Sequence, residues 1–151
     1  MQYPQRKHLR IPGYDYSQTN YYYVTICTKE KQCLFGMPDA PTALGKLAKK
    51  EMEELSQHYD DVLVDQFVIM PNHIHAIFAI GCNREGNNPP LSQVVSCYKA
   101  GVSRKAQMGT TLWQKSFYDE VIRNEAHYLS AWNYIDGNPS KWNEDKYFIS
   151  P

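Results

Sequence analysis

The sequence predicts an α+β fold in which an antiparallel sheet carries helices on one face. Three observations support this prediction: a run of strand-forming residues at 21–28, an apolar hairpin around Pro71-Asn72, and helical apolar spacing before and after that hairpin. The resulting element order is β-α-β-β-α-β, followed by an extra C-terminal helix. This order is typical of the split-βαβ, ferredoxin-like (RRM-like) topology.

The first half of the chain contributes one strand, one helix and the hairpin. Residues 21–28 (YYYVTICT) are mostly β-branched or aromatic and predict the first strand, whereas residues 42–59 repeat apolar side chains at helical intervals. The hairpin strands Val62–Met70 and His73–Ile80 are joined by Pro71-Asn72, a residue pair suited to a tight turn. In this topology the second hairpin strand lies inside the sheet.

The second half of the chain contributes two helices and the last strand. Residues 81–90 (GCNREGNNPP) predict a loop, and a second helix begins near Leu91. Residues 112–122 (LWQKSFYDEVI) alternate enough to predict a fourth strand. Asn124 is a suitable N-cap for a third helix that continues to about Gly137.

The composition predicts one domain over residues 1–151, with an N-terminal arm of about residues 1–20 and a C-terminal tail of about residues 139–151. The longest apolar runs fall well short of the roughly 18 residues that span a bilayer. The first residues contain no apolar segment of the kind that a secretory signal needs. We therefore expect a cytoplasmic protein with no membrane segment.

Cysteine spacing and net charge narrow the possible functions. Cys27, Cys33, Cys82 and Cys97 form no C-x-x-C pair, so we expect reduced, buried cysteines. The formal net charge is +0, which argues against a protein that coats nucleic acid non-specifically. A local basic groove remains compatible with this balance.

The second hairpin strand carries two histidines on one face. His73 and His75 are two residues apart, and successive side chains in a strand point to opposite faces. The remaining residues of both faces are largely apolar, so this strand should be central and covered. Two buried imidazoles are costly unless both have partners. A divalent metal would provide one, and hydrogen-bonded structural histidines near a turn are the alternative that the spacing leaves open.

The third helix offers residues that could complete a metal site. Tyr134 and Asn138 lie four residues apart, a spacing that stacks side chains on one helical face, although Asn138 lies where the helix should end. Two imidazoles and an amide oxygen suit Mg²⁺ or Mn²⁺, which would polarise a phosphodiester. Close to a cation, the Tyr134 phenol could attack phosphorus as the oxyanion. His127, seven residues earlier, is expected to be a surface histidine.

Several segments resemble one family of nucleases. The sequence PNHIHAIF after an apolar strand resembles the His-hydrophobic-His motif of single-tyrosine HUH nucleases, and more specifically IS200-like transposases and REP-associated tyrosine transposases. Further similar segments are LRIPGYDYS, YYYVTICT, LFG, LWQKSFYDEVIR and YIDGNPSKWNEDKYF, so the resemblance covers essentially the whole chain. It implies a single Y1 transposase domain with His73, His75 and Asn138 as metal ligands. It also implies Tyr134 as the nucleophile on an extra C-terminal catalytic helix.

The resemblance also implies a nucleic-acid substrate. The expected substrate is single-stranded DNA with a hairpin near the cleavage site, cut through a covalent 5′-phosphotyrosine intermediate during DNA transposition or REP-element mobilisation. A homodimer is compatible with the family, and the helix of Tyr134 could then complete the partner's site. Basic side chains could contact the phosphates, and tyrosines could stack on bases. The candidate contacts are Lys99, Arg104, Lys105, Lys115 and Arg123.

Three other functions fit part of the pattern. The first is a DNA-hairpin-binding module that has the same fold but does not cut. The second is a histidine-triad nucleotide hydrolase, which would need a third histidine where Ile77 stands. The third is a structural zinc site formed by His73, His75 and Cys82, for which a fourth ligand at suitable spacing is missing from the sequence.

Overall fold

The computed structural model describes residues 20–59, 61–81, 89–139 and 142. Most of the predicted arm, loop residues 82–88 and most of the predicted tail lie outside these residues. The strands are β1 (Asn20–Cys27), β2 (Gly36–Met37), β3 (Ala40–Pro41), β4 (Val62–Met70), β5 (His73–Ile80) and β6 (Tyr118–Ile122). The helices are α1 (Ala43–Glu53), α2 (Leu91–Ala106) and α3 (Glu125–Gly137), with 3-10 turns at Lys29–Lys31, Leu55–Gln57 and Gly109–Thr111.

Four strands form one antiparallel sheet in the order β4-β5-β1-β6, and β2 pairs separately with β3. This order is that of the split-βαβ topology, so the predicted ferredoxin-like fold class is confirmed. The histidine-bearing strand β5 lies between β4 and β1, which confirms its interior position. Within the described ranges, no helix is both long enough and apolar enough to cross a membrane.

The sheet separates two layers of helices. Ile74, Ala76 and Phe78 of β5 belong to a large apolar core that includes residues of α1 and α2. Ile77 belongs to a second, smaller cluster that includes Ala131 of α3. The helices α1 and α2 therefore share one face, as predicted, and the extra helix α3 covers the opposite face.

Strand β4 contains a β-bulge at Asp65. The strand pairs Val64 with Phe78 and Gln66 with Ile77, so Asp65 is an extra residue in the ladder. A shift by one residue reverses the alternation of the side chains that follow. As a result, the side chains of β4 that pack toward α1 and α2 are all apolar, namely Val62, Val64, Phe67 and Ile69.

Two predicted elements are shorter than the sequence suggested. The first helix ends at Glu53 rather than at residue 59, because a 3-10 turn follows and places Leu55 in the core at 1% exposure. The fourth strand covers only Tyr118–Ile122 of the predicted residues 112–122.

The residues ahead of that strand satisfy their backbone groups in other ways. Trp113 forms an isolated bridge with Thr28, and its Nε1 donates to the carbonyl of Lys99 at 3.0 Å.

The expectation for the cysteines holds for Cys27, which is buried, but is wrong for Cys33, which is exposed in the loop after the first 3-10 turn.

Candidate active site

The two histidines of strand β5 lie side by side on the face that α3 covers. His73 opens the strand directly after the Pro71-Asn72 turn, and His75 follows two residues later on the same face. Their ring centroids are 4.6 Å apart, and their exposed fractions are 0% and 1%. Two imidazoles are therefore enclosed next to each other, although the surrounding face is largely apolar.

Asn72 orients the ring of His73. Its Nδ2 group donates to the backbone carbonyl of Lys31 at 3.2 Å, and its Oδ1 lies 2.8 Å from Nδ1 of His73. Because an amide oxygen only accepts hydrogen bonds, Nδ1 of His73 must carry a proton and donate it. A neutral ring then has its lone pair on Nε2, which is buried.

Two hydroxyl groups of strand β1 orient the ring of His75. The Nδ1 atom lies 2.9 Å from Oγ1 of Thr25 and 3.0 Å from the hydroxyl of Tyr23. Thr25 is the direct cross-strand partner of His75, and the Tyr23 ring stacks on the imidazole with centroids 5.5 Å apart. Since a hydroxyl can donate or accept, this arrangement is compatible with a protonated Nδ1 and a lone pair on Nε2.

Helix α3 brings Tyr134 over the histidines. The helix begins as predicted, because the Asn124 side chain accepts from the backbone N–H of His127 at 2.8 Å. Three turns of helix then place the Tyr134 ring with its centroid 5.3 Å from that of His75, at an interplanar angle of 67°. Tyr134 is 46% exposed, so a substrate can reach its side chain.

Asn138 follows Tyr134 by four residues and stays in the helical turn. The sequence places it between Gly137 and Pro139, yet its dihedral angles are helical (φ −60°, ψ −42°) and its N–H bonds to the carbonyl of Ile135. The side chain is buried at 3% exposure, and its Nδ2 group makes no hydrogen bond with the residues described. The spacing that stacks Asn138 below Tyr134 is therefore kept.

The two imidazoles and the Asn138 amide are groups that can act as ligands of a divalent cation. In each histidine the Nδ1 atom is engaged by a neighbour, which is how proteins orient a ring whose Nε2 binds a metal. The buried amide of Asn138 can present its oxygen after rotation about χ2, because the two ends of an amide have nearly the same shape. Hydrogen-bonded structural histidines would show the same Nδ1 contacts, so this geometry is compatible with both interpretations.

The zinc alternative has no support among the residues described. Within them, no group of three His, Cys, Asp or Glu side chains lies close enough to hold a metal ion. Cys82, the third ligand of that alternative, lies outside the described part of the chain.

Two of the basic residues expected to contact DNA are engaged within the protein. Lys99 donates to the backbone carbonyls of Gln114 at 2.8 Å and Ser116 at 3.5 Å, and burial lowers the pKa of its ammonium group. Lys105 forms an ion pair with the buried Glu51, with Nζ and Oε2 2.5 Å apart. Both lysines belong to α2, on the face of the sheet opposite the histidines.

The other three basic residues are exposed. Arg104 lies on α2, Lys115 lies in the irregular segment before β6, and Arg123 lies between β6 and α3. Arg123 therefore leads directly into the helix that carries Tyr134. Contact of all five residues with DNA stays a prediction.

Sequence reasoning missed the residues that orient the histidines. Asn72 directly precedes His73, so its proximity could have been noticed. Tyr23 and Thr25 share a strand face, but their contact with His75 depends on the register between β1 and β5. The Trp142 ring, 6.1 Å from that of His73, comes from the predicted tail and had no local signal.

Solved structures of transposases share this fold. The chain is similar to a REP-associated tyrosine transposase bound to a REP hairpin, with a TM-score of 0.67 and 18% identity over 93% of this chain and 76% of that one. It is also similar to a candidate transposase from Deinococcus radiodurans, with a TM-score of 0.53 and 15% identity over 86% of this chain and 97% of that one. The resemblance to IS200-like and REP-associated tyrosine transposases is therefore confirmed at the level of the fold.

A sequence relative defines the family. The chain is 32% identical over 168 aligned residues to an uncharacterized protein of Haemophilus influenzae (strain Rd), an alignment that covers 95% of this chain and 93% of the relative. The chain belongs to the same family as this Haemophilus protein. None of the general protein-family models matches the chain.

Proposed function

We propose that the protein is a metal-dependent endonuclease and strand transferase of single-stranded DNA that uses Tyr134 as its nucleophile. The observation that carries this proposal is the position of the half-exposed Tyr134 ring, 5.3 Å from one of two adjacent buried histidines. A tyrosine, two oriented imidazoles and a buried amide are the groups that the implied reaction needs. The transposase fold supports the same conclusion.

In this proposal His73, His75 and Asn138 hold Mg²⁺ or Mn²⁺, which would polarise the scissile phosphodiester and offset the charge that develops on it. Asn72 holds His73 in the tautomer with its lone pair on Nε2, and the hydroxyls of β1 orient His75. Enclosure beneath α3 keeps both imidazoles away from bulk water. These contacts fix the site before the substrate binds.

The Tyr134 hydroxyl loses its proton to solvent, and the phenolate oxygen attacks the scissile phosphorus. The bond between phosphorus and the 3′ oxygen breaks, and that oxygen takes up a proton and leaves as a 3′-hydroxyl. The 5′-phosphate remains on Tyr134 as a phosphotyrosine. A 3′-hydroxyl of another strand end can later attack this phosphotyrosine, which rejoins the DNA without an external energy source and restores Tyr134.

The proposed substrate is single-stranded DNA with a hairpin. Two observations support it: one solved structure of this fold is a REP-associated tyrosine transposase bound to a REP hairpin, and Arg123 is exposed beside the helix that carries Tyr134. The role in DNA transposition or REP-element mobilisation follows from the same likeness.

The test is a cleavage assay with end-labelled single-stranded DNA that carries hairpins from the DNA flanking the gene. The DNA is incubated with the protein and Mg²⁺ or Mn²⁺ and analysed on a denaturing gel beside the Tyr134→Phe variant, which lacks one hydroxyl. We expect a metal-dependent covalent protein–DNA band that is absent with the variant. Retarded DNA on a native gel without a covalent band would instead support the non-cleaving DNA-hairpin-binding module.

A further inference from the structure

The bulge in β4 places an extra acidic side chain under the helix that carries Tyr134. In a bulge, two residues of one strand face a single residue of its neighbour, so Asp65 and Gln66 both lie opposite Ile77. Ile77 belongs to the apolar cluster beneath α3. Asp65 therefore lies on the α3 face at the β4 edge of the sheet.

Asp65 accepts a hydrogen bond from a side chain in the first half of α3. The hydroxyl of Tyr128 donates to Oδ2 of Asp65. The Tyr21 ring of β1 packs edge-on against Tyr128, with centroids 5.7 Å apart and an interplanar angle of 82°. Tyr128 is thus held by a charged acceptor at its hydroxyl and by an aromatic ring at its side.

His127, the residue before Tyr128 in the helix, contacts a side chain at the opposite edge of the sheet. His127 Nε2 lies 3.2 Å from Oε2 of Glu120 in β6, and both side chains are largely buried. Glu120 pairs with Tyr23, whose hydroxyl contacts His75, so Glu120 also faces α3. Neighbouring strands lie about 4.8 Å apart, so the two edges of a four-stranded sheet are about 14 Å apart.

We propose that these two pairs, Asp65–Tyr128 and Glu120–His127, form an edge clamp that positions Tyr134 over the histidines of its own chain. One contact alone would let α3 pivot or roll, whereas contacts from adjacent residues to both edges fix its rotation and its direction across β5 and β1. Tyr134 lies six to seven residues further, so a small rotation at the clamp would move its hydroxyl away from the site. The four clamp side chains are positioning residues and do not touch the reacting atoms.

Helix α3 buries fewer residues than α2 of the opposite layer, so its orientation depends more on the contacts of the edge clamp. The buried residues of α3 are Ala131 and Ile135, and Tyr128 and Trp132 pack partly buried beside them. Helix α2 buries seven residues, among them Leu91, Val94 and Tyr98. With fewer buried apolar residues than α2, α3 depends more on polar contacts for its orientation. This inference rests on the proposed function of Tyr134 for its effect on catalysis, but the docking of α3 can be measured without DNA.

The experiment compares Tyr128→Phe and Glu120→Ala with the wild-type protein by amide hydrogen exchange and by single-turnover formation of the covalent Tyr134–DNA adduct. The matched control is Tyr98→Phe, which removes a buried hydroxyl that donates to the Ala48 carbonyl in the other layer. For each clamp variant we expect amides of residues 131–135 to exchange about tenfold faster, with the β5 amides unchanged. At saturating hairpin DNA, we expect adduct formation to be about tenfold slower, with affinity for the hairpin within about twofold of wild type.

Two results would overturn the proposal. One is exchange in α3 that stays at the wild-type rate or rises no more than in Tyr98→Phe. The other is faster exchange with an unchanged rate of adduct formation, which would mean that the clamp holds the helix without positioning Tyr134. If the wild-type protein forms no adduct with any hairpin, the proposed function fails, and the exchange measurement still decides whether the clamp docks α3.

Discussion

The two faces of strand β5 are covered by different layers and held by different interactions. On one face Ile74, Ala76 and Phe78 are fully buried in a large apolar core with residues of α1 and α2. On the other face His73 and His75 are equally buried, but their contacts are hydrogen bonds to an amide and two hydroxyls. Burial to the same degree is therefore accompanied by apolar packing on one face and by hydrogen bonds on the other.

The comparison shows how a marginally stable domain can carry buried polar groups. Apolar burial is favourable wherever it occurs, whereas a buried imidazole requires specific partners in specific positions. The adjacent strand β1 provides the partners of His75, and the turn before β5 provides Asn72, the partner of His73. Adjacent residues of one strand should then have separable effects on stability and on the proposed reaction.

The largest effect on adduct formation is expected from a substitution on the face of β5 that carries His73 and His75. His73→Ala should lower covalent adduct formation about 10³-fold or more, because it removes a proposed metal ligand. Binding of Mn²⁺, measured by titration with electron paramagnetic resonance, should be lost together with activity. The circular dichroism spectrum should stay that of the folded protein, and a variant that still binds Mn²⁺ normally would refute the assigned ligand.

The matched change on the apolar face should act on stability instead. Ile74→Ala should lower the free energy of unfolding by about 2–5 kcal/mol, since it leaves a cavity in the main core. Denaturant unfolding measures this loss. The rate of adduct formation per folded molecule should stay near that of the wild type; a fall comparable to that of His73→Ala would mean that the two faces are not separable.

Metal binding should depend more strongly on the neighbour that orients His73 than on the Tyr23 hydroxyl that contacts His75. Asn72→Ala should weaken metal binding about 10- to 100-fold, because His73 loses the acceptor that sets its tautomer. Tyr23→Phe should weaken it less, since Thr25 Oγ1 still lies 2.9 Å from Nδ1 of His75. Calorimetric titration with Mn²⁺ measures both, and equal losses would contradict this difference between the two rings.

The smallest expected effect is the loss of the stabilising contribution of Tyr128 at alkaline pH. The hydrogen bond to Asp65 raises the pKa of Tyr128 to about 12. A tyrosine with a raised pKa contributes stability below its unfolded pKa near 10, and this contribution is lost as the pH rises to about 12. We expect one tyrosine to ionise near pH 12 in an ultraviolet titration of the folded protein and to return toward its ordinary pKa in Asp65→Ala. An unchanged titration in this variant would show that Asp65 does not hold the Tyr128 hydroxyl.

The sequence determined the elements whose signals are local. The hairpin strands Val62–Met70 and His73–Ile80 have their predicted bounds, and Asn124 caps α3 as predicted, because alternation, a turn pair and a cap residue act over a few positions. The position of His73 and His75 on one strand face could likewise be predicted from local alternation. Tyr134 was chosen as a candidate from helical spacing, and its proposed role came also from the family resemblance.

Tertiary structure decided what depends on residues far apart in the chain. The fourth strand is short because Trp113 and Lys99 form other contacts, and His127 is paired with Glu120 although it was expected at the surface. The bulge at Asp65 interrupts an alternation that the sequence alone would continue. Strand register, the partners of the imidazoles and the edge clamp join residues up to 63 positions apart. Local residue patterns do not encode such distances, because the packing of the whole core selects among the possible registers.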